Sequence, residues 1–268
     1  MPNFICVTCG TQFPTSEAPP AHCPICEDER QYIGFSGQQW TTLDALKQAH
    51  ANEFVTLLPG LTAIRSLPKI GIGQRAFLVE SPGGNVLWDC ITLLDDTAID
   101  FIRERGGIRA MAISHPHYYS TMIEWSRTFD VPIYIHEAER QYVERMDDAI
   151  AFWEGETLPL WDDITLIRCG GHYEGGQVLH WPAGASGAGV LLTGDIIQVV
   201  PDRRYVSFMY SYPNLIPLPA SKVRHIVDAL EPYSFDQLYN AFDGGNITID
   251  AKNAVRRSAE RYIAAITE

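Results

Sequence analysis

Four of the six cysteines stand as two Cys-x-x-Cys pairs, Cys6 with Cys9 and Cys23 with Cys26, separated by 13 residues. Two residues between thiolates let a tight turn aim both sulfurs at one ion, and a second such turn completes a tetrahedron. Four sulfur donors select zinc or iron over calcium or magnesium. The opening stretch, MPNFICVTCG, has no basic region followed by an apolar one. A secretory signal is therefore not expected, and the cysteines read as reduced thiols on a metal in a cytoplasmic protein, not as disulfides.

The wording of this segment narrows the reading. CVTCG followed by EAPPAHCPIC resembles the rubredoxin-like module at the end of rubrerythrins, and zinc ribbons in general. The resemblance implies either zinc as a structural clasp or iron as a one-electron relay. Zinc is preferred, because no second redox motif such as a nucleotide-binding glycine loop accompanies it. His22, beside Cys23, is expected to be an exposed neighbour, since four thiolates already suffice.

The 268 residues, 46% hydrophobic and 20% charged, describe a globular chain long enough to bury a core without disulfides. Twenty Lys and Arg against 33 Asp and Glu leave a net charge of −13, a field that repels phosphate backbones and anionic lipid. Neither nucleic acid nor a membrane surface is the expected partner; a small molecule is. No apolar run is long enough to span a bilayer.

Three regions differ in character: a four-cysteine module over 1–36, a helical linker over 37–54, and a main domain over 55–268. The linker contains TTLDALKQAHANEF, with Thr41 or Thr42 as its N-cap. In the main domain, strand-like runs such as RAFLVES and NVLWDC flank a Pro-Gly-Gly turn at 82–84. Further on, strands alternate with helices expected at 96–105, 121–129, 137–146, 220–230 and 249–266. Hairpins first and strand–helix units after them predict an α/β protein with two sheets packed together and helices outside.

The sharpest feature of the main domain is Ile113-Ser114-His115-Pro116-His117-Tyr118-Tyr119-Ser120. Two histidines one residue apart, just past a buried strand, can face one point above a sheet edge. Together with Cys169-Gly170-Gly171-His172, the late Gly194-Asp195 after an apolar strand, and Asp89 in VLWDC, this run resembles the metallo-β-lactamase superfamily over most of residues 55–245. The resemblance implies a four-layer αββα sandwich carrying the small N-terminal module. It also implies His115, His117, His172 and Asp195 as metal ligands, and Asp89 as a partner that positions a ligating histidine. His136, in VPIYIHEAE, would be a bystander.

The departures bear on mechanism. Where that family has Asp and His for a second metal, this chain has Tyr119 and Ser120. Its last histidine is absent from Asn240-Ala241-Phe242-Asp243, with Phe242 or Asp243 in that place. The four survivors suffice for one ion, zinc or iron. The preferred function is a metal-dependent hydrolase with a mononuclear site, acting on a small ester, thioester or lactone-like substrate. Asp195 would bind and orient, and Tyr119 would donate a hydrogen bond to a developing oxyanion. Two alternatives stand beside it: a mononuclear iron oxygenase resembling persulfide dioxygenases, and a metal-free binding protein on the same scaffold.

The remaining candidates take quieter readings. His50, His180 and His225 are expected to be structural or solvated, and Cys90 and Cys169 to be buried thiols. Residues 201–219, PDRRYVSFMYSYPNLIPLP, could wall a pocket for an anionic, partly apolar ligand through Arg203 and Arg204. The competing reading is a core-packing connection with solvated arginines.

Overall fold

A computed structural model describes residues 1–267. The chain divides into two compact units, the first made of Met1–Ile135 with Arg140–Phe152, the second of His136–Glu139 with the residues from Trp153 onward. Among the described residues no helix is long and apolar enough to cross a membrane.

In the first unit, the strands Gln12–Thr15, Asn3–Cys6 and Trp40–Thr41 form a small antiparallel sheet in that order. The short helix Leu43–Ala49 follows, capped by the Thr42 hydroxyl, which accepts from Ala45 N. It ends earlier than the sequence suggested. From Ala51 the chain is already a strand, Ala51–Leu58, pairing along its length with Leu61–Leu67. Those long-range backbone bonds outweigh local helix preference over 51–54.

These two strands begin a seven-stranded sheet that continues with Ala76–Val79, Val86–Trp88, Ala110–Ala112, Ile133–His136 and Ile150–Trp153. The first four strands are antiparallel. Val86–Trp88, Ala110–Ala112 and Ile133–His136 are then parallel, and such neighbours need crossover connections. The helices Asp96–Arg103 and Met122–Phe129 are those crossovers. The first has Asp95 as N-cap, accepting from Ala98 N at 2.8 Å, and closes where Gly106 N and Gly107 N donate to Arg103 O and Ile102 O. Every residue of AFLV, VLW and AMA is buried, as expected of strands covered on both faces.

The expected α-helix at 137–146 is instead a 3₁₀ segment, Glu137–Tyr142. Its side chains explain the tighter winding. Glu139 is turned inward at 1% exposure and accepts from Gly175 N, while Arg140 lies 3.7 Å over the Phe152 ring.

The second unit is built on a six-stranded sheet ordered Thr157–Pro159, Thr165–Arg168, Gln177–Trp181, Val190–Leu192, Gln237–Tyr239, Asn246–Ile247. All pairs are antiparallel except Val190–Leu192 with Gln237–Tyr239. That parallel step carries the longest crossover, containing the helix Ala220–Leu230. Within it, 201–219 is not a plain connection. It helps form two small hairpins, Gln198–Val199 with Val206–Ser207 and Met209–Ser211 with Ile216–Pro217. Val223, Ile226 and Leu230 of one helix and Ala254 and Val255 of the other, Ala251–Thr267, share a core with Val178, Leu191 and Leu238.

Candidate metal centres

The first pair of candidate ligands sits where the strand Ala110–Ala112 runs out. Asp89, just past the neighbouring strand, turns the chain with a φ of +58°, a left-handed conformation that aspartate tolerates better than most residues. There its Oδ1 accepts from Ser114 N at 2.7 Å, while its own N–H donates to Ala112 O at 2.8 Å. Ser114 Oγ in turn meets His115 Nδ1 at 2.9 Å. With Nδ1 engaged, Nε2 is the nitrogen of His115 for a metal. The 3₁₀ turn Pro116–Tyr118 then brings the His117 ring to 4.8 Å from that of His115. Both imidazoles are 1% exposed.

The second pair comes from loops that follow two later strands. After Thr165–Arg168 the loop is closed by Cys169 N and Gly170 N, both donating to Gly176 O. Gly171 has a φ of +86°, and a Cβ there would lie 2.8 Å from Ile226 Cδ1, so only glycine fits this turn. His172 follows, its Nδ1 donating to Met209 O at 3.1 Å, which presents Nε2 as the ligand nitrogen. Asp195 follows the strand Val190–Leu192, and its Oδ1 is 3.7 Å from His172 Nε2. That separation is too long for a hydrogen bond and suits two ligands of one ion. Tyr212 lies beside this pair with its ring 6.0 Å from that of His172. Burial first, and the Asp195 charge second, push its phenol well above the ordinary tyrosine range, so it stays protonated and donates to Ser207 O at 3.1 Å.

Among the described residues two groups could hold a metal ion, and both were expected. The ligand atoms of buried His115, His117, His172 and Asp195 all lie within 4.8 Å of one another, as do the sulfurs of Cys6, Cys9, Cys23 and Cys26. In the cysteine group, Cys6 and Cys26 are 3.5 Å apart and Cys9 and Cys23 3.6 Å. Four thiolates about 2.3 Å from one central ion stand about 3.8 Å apart at a tetrahedron's corners, so the donor set fits zinc or iron. The neighbouring sulfurs, Cys23 first, push the Cys6 thiol far below its ordinary value and those of Cys9 and Cys26 far above it, as for acids crowded around one point. Gln38 Nε2 donates to Cys6 Sγ at 3.1 Å.

The other candidates distribute as follows. Tyr119 is buried at 1% exposure two residues past His117. His136 packs edge-on against Trp153, and burial lowers its pKa. His180 Nε2 meets Ser234 O at 2.8 Å, and His50 Nδ1 meets Pro68 O at 2.8 Å. Exposed His22 pairs with Glu27. Cys90 and Cys169 are fully buried, which raises both thiols. Arg204 pairs with Asp202 at the surface and Arg203 donates to Asn246 O. Sequence reasoning gave no part to Ser114, the Met209 carbonyl or Tyr212. A hydroxyl immediately before a ligand histidine was the one visible signal.

Because Ser114 fixes the His115 ring, Ser114→Ala is expected to weaken metal binding at this group roughly tenfold to a hundredfold. Competition titration with a chromophoric chelator measures it, and an unchanged affinity removes Ser114 from the design.

No family model matches the chain. Several solved metallo-β-lactamases share its architecture. DIM-1 superposes with a TM-score of 0.59 at 17% identity, covering 78% of this chain and 97% of its own. VMB-1 superposes at 0.62 and 13%, covering 81% and 98%. FIM-1 from Pseudomonas aeruginosa, in a mono-zinc form, superposes at 0.57 and 14%, covering 78% and 95%. At such identities the likeness establishes the fold. In sequence, the chain is 52% identical over 268 residues to the uncharacterized protein YmaE of Bacillus subtilis (strain 168), covering 99% of this chain and 97% of that one. The chain therefore has the metallo-β-lactamase fold and belongs to the family of YmaE.

Proposed function

We propose that this protein is a metal-dependent hydrolase working with one ion, held by His115, His117, His172 and Asp195, on a small ester, thioester or lactone-like substrate. The observation that carries the reading is the approach of those four ligand atoms to within 4.8 Å of one another. Two of the imidazoles also have Nδ1 engaged by Ser114 Oγ and by Met209 O, the arrangement that prepares Nε2 as a donor. A solved protein of this fold, FIM-1, is described in a mono-zinc form. Zinc is proposed here too, and zinc as a structural ion among the four cysteines.

A divalent ion held by these residues would supply a Lewis acid and would lower the pKa of a water in contact with it. The chain's own residues do the rest. Asp195, 5% exposed, contributes the one negative charge of the ligand set and accepts a hydrogen bond from the attacking water, which orients it. Asp89 holds Ser114 N, and Ser114 holds the His115 ring, so the ligands are in place before substrate arrives. Tyr119 is assigned the hydrogen bond to the developing oxyanion, which a phenol O–H can donate. A single ion lacks the two-metal clamp that phosphodiesters commonly use, which favours carboxylic esters.

Metal analysis tests this on protein purified without added ions. The two groups should give about two equivalents of zinc per chain. His117→Ala should remove one equivalent, leave the cysteine-bound one and abolish hydrolysis of a 4-nitrophenyl ester and a thioester panel. An unchanged metal content in that variant overturns the site.

A further inference from the structure

The four-cysteine module and the histidine loop lie in the same compact unit, and the joint between them centres on Ser120. This residue, three after His117, is 3% exposed and has a φ of +44°, a conformation that costs a non-glycine residue unless its surroundings fix it. Two partners do so. Gln12 N, three residues beyond Cys9, donates to Ser120 O at 3.0 Å. From the other side Gln74 Nε2 donates to Ser120 Oγ at 3.0 Å and to Cys90 O at 3.1 Å.

The cysteine turn itself presses on the same place. Gly10 ends the first knuckle with its N–H donating to Cys6 O at 2.8 Å. A Cβ on it would stand 2.2 Å from Thr92 Oγ1 and 3.6 Å from Ser120 Oγ, and its φ is +84°. The knuckle backbone thus leaves no room for a side chain against Thr92, with Ser120 of the histidine loop at van der Waals distance. Thr92 O accepts from Thr121 Oγ1 at 2.8 Å, tying the next residue of the loop to the same contact. Gln12 is further steadied by Arg145, which also bonds Glu124 at 2.6 Å.

We propose that the four-cysteine module is a clamp on the histidine loop: an ion among the cysteines fixes the knuckle, the knuckle seats Gln12 on Ser120, and Ser120 holds the turn bearing His115 and His117. Occupancy of the cysteine site then sets how tightly the histidine site holds its own ion. Such coupling is reciprocal, so an ion on the histidines strengthens retention of the one on the cysteines by the same factor. The affinity arm of the proposal rests on the reading of His115, His117, His172 and Asp195 as an ion site; the loop-ordering arm does not.

The test uses the full chain, with Co²⁺ as probe and hydrogen exchange over residues 113–121 as a second readout independent of activity. Thiolate-to-cobalt absorption reports the cysteine site alone. Cys23→Ser breaks the cysteine tetrahedron and is expected to speed exchange across 113–121 and to weaken Co²⁺ binding at the histidines roughly tenfold to a hundredfold. Gly10→Ala keeps all four sulfurs, hence the thiolate absorption, yet lifts the knuckle from Thr92 and Ser120; it should give the same two changes. If Cys23→Ser does not fold, Gly10→Ala alone decides. Wild-type exchange and wild-type Co²⁺ affinity in Gly10→Ala overturn the clamp. Absence of Co²⁺ binding at the histidines in the unaltered protein sinks the hydrolase reading instead, and the exchange comparison still decides whether the module orders the loop.

Discussion

Trp125→Ala is expected to cost about 3–5 kcal/mol of stability in the first unit, the range for deleting a buried aromatic side chain. Trp125 is fully buried on the helix Met122–Phe129 and stacks near Phe129. Its indole Nε1 donates to Ile91 O at 3.0 Å, so truncation leaves both a cavity and a weakened acceptor. The helix begins two residues after Ser120, and Thr121 bonds Thr92 O; the cavity therefore opens behind the turn that carries two of the candidate ligands. Thermal denaturation should show a fall of roughly 10 °C or more in the transition of this unit. Trp125→Phe keeps one aromatic ring, loses the N–H bond and leaves a smaller void, and should cost about 1–3 kcal/mol. Equal losses in the two variants would mean that the hydrogen bond, not packing, dominates at this position.

The contrast between the two metal groups shows what a sequence can and cannot carry. The cysteine site was legible outright, because a Cys-x-x-Cys turn contains its own geometry and needs only one long-range meeting. His115, His117, His172 and Asp195 were legible as residues, through their resemblance to a family pattern. Spacing alone gave no reason for His172 and Asp195, which belong to separate loops, to meet at one point; strand order decides that. Partners one step further out were harder still. Met209 binds His172 through its backbone carbonyl, so side-chain identity at 209 carries no signal. Very short elements escaped for a related reason. Strands of two residues, such as Gln198–Val199 and Ile216–Pro217, show no alternation to detect. At 137–146 the helical period was present, but the inward Glu139 carboxylate overrode it.

Asp89→Ala carries the second large expectation, because one side chain there solves two problems. Its carboxylate accepts the buried Ser114 N–H at 2.7 Å, and its backbone holds a φ of +58°. Alanine leaves the N–H without that acceptor and is less at ease in the left-handed region, for a combined cost of roughly 2–4 kcal/mol. Ser114 then no longer holds the His115 ring, and metal affinity at the histidine group should fall roughly tenfold to a hundredfold. The opposing effect is real: removing a buried carboxylate recovers its desolvation cost, and the same carboxylate adds to the upward push that burial gives the Cys90 thiol. Asp89→Asn separates the contributions. Asparagine tolerates the backbone and keeps an oxygen for Ser114 N, so stability should stay within about 1 kcal/mol of the unaltered protein, while loss of the charge still weakens metal binding. If the alanine variant proves as stable as the asparagine one, the bond to Ser114 does not hold this loop, and the route from Asp89 to His115 must be given up.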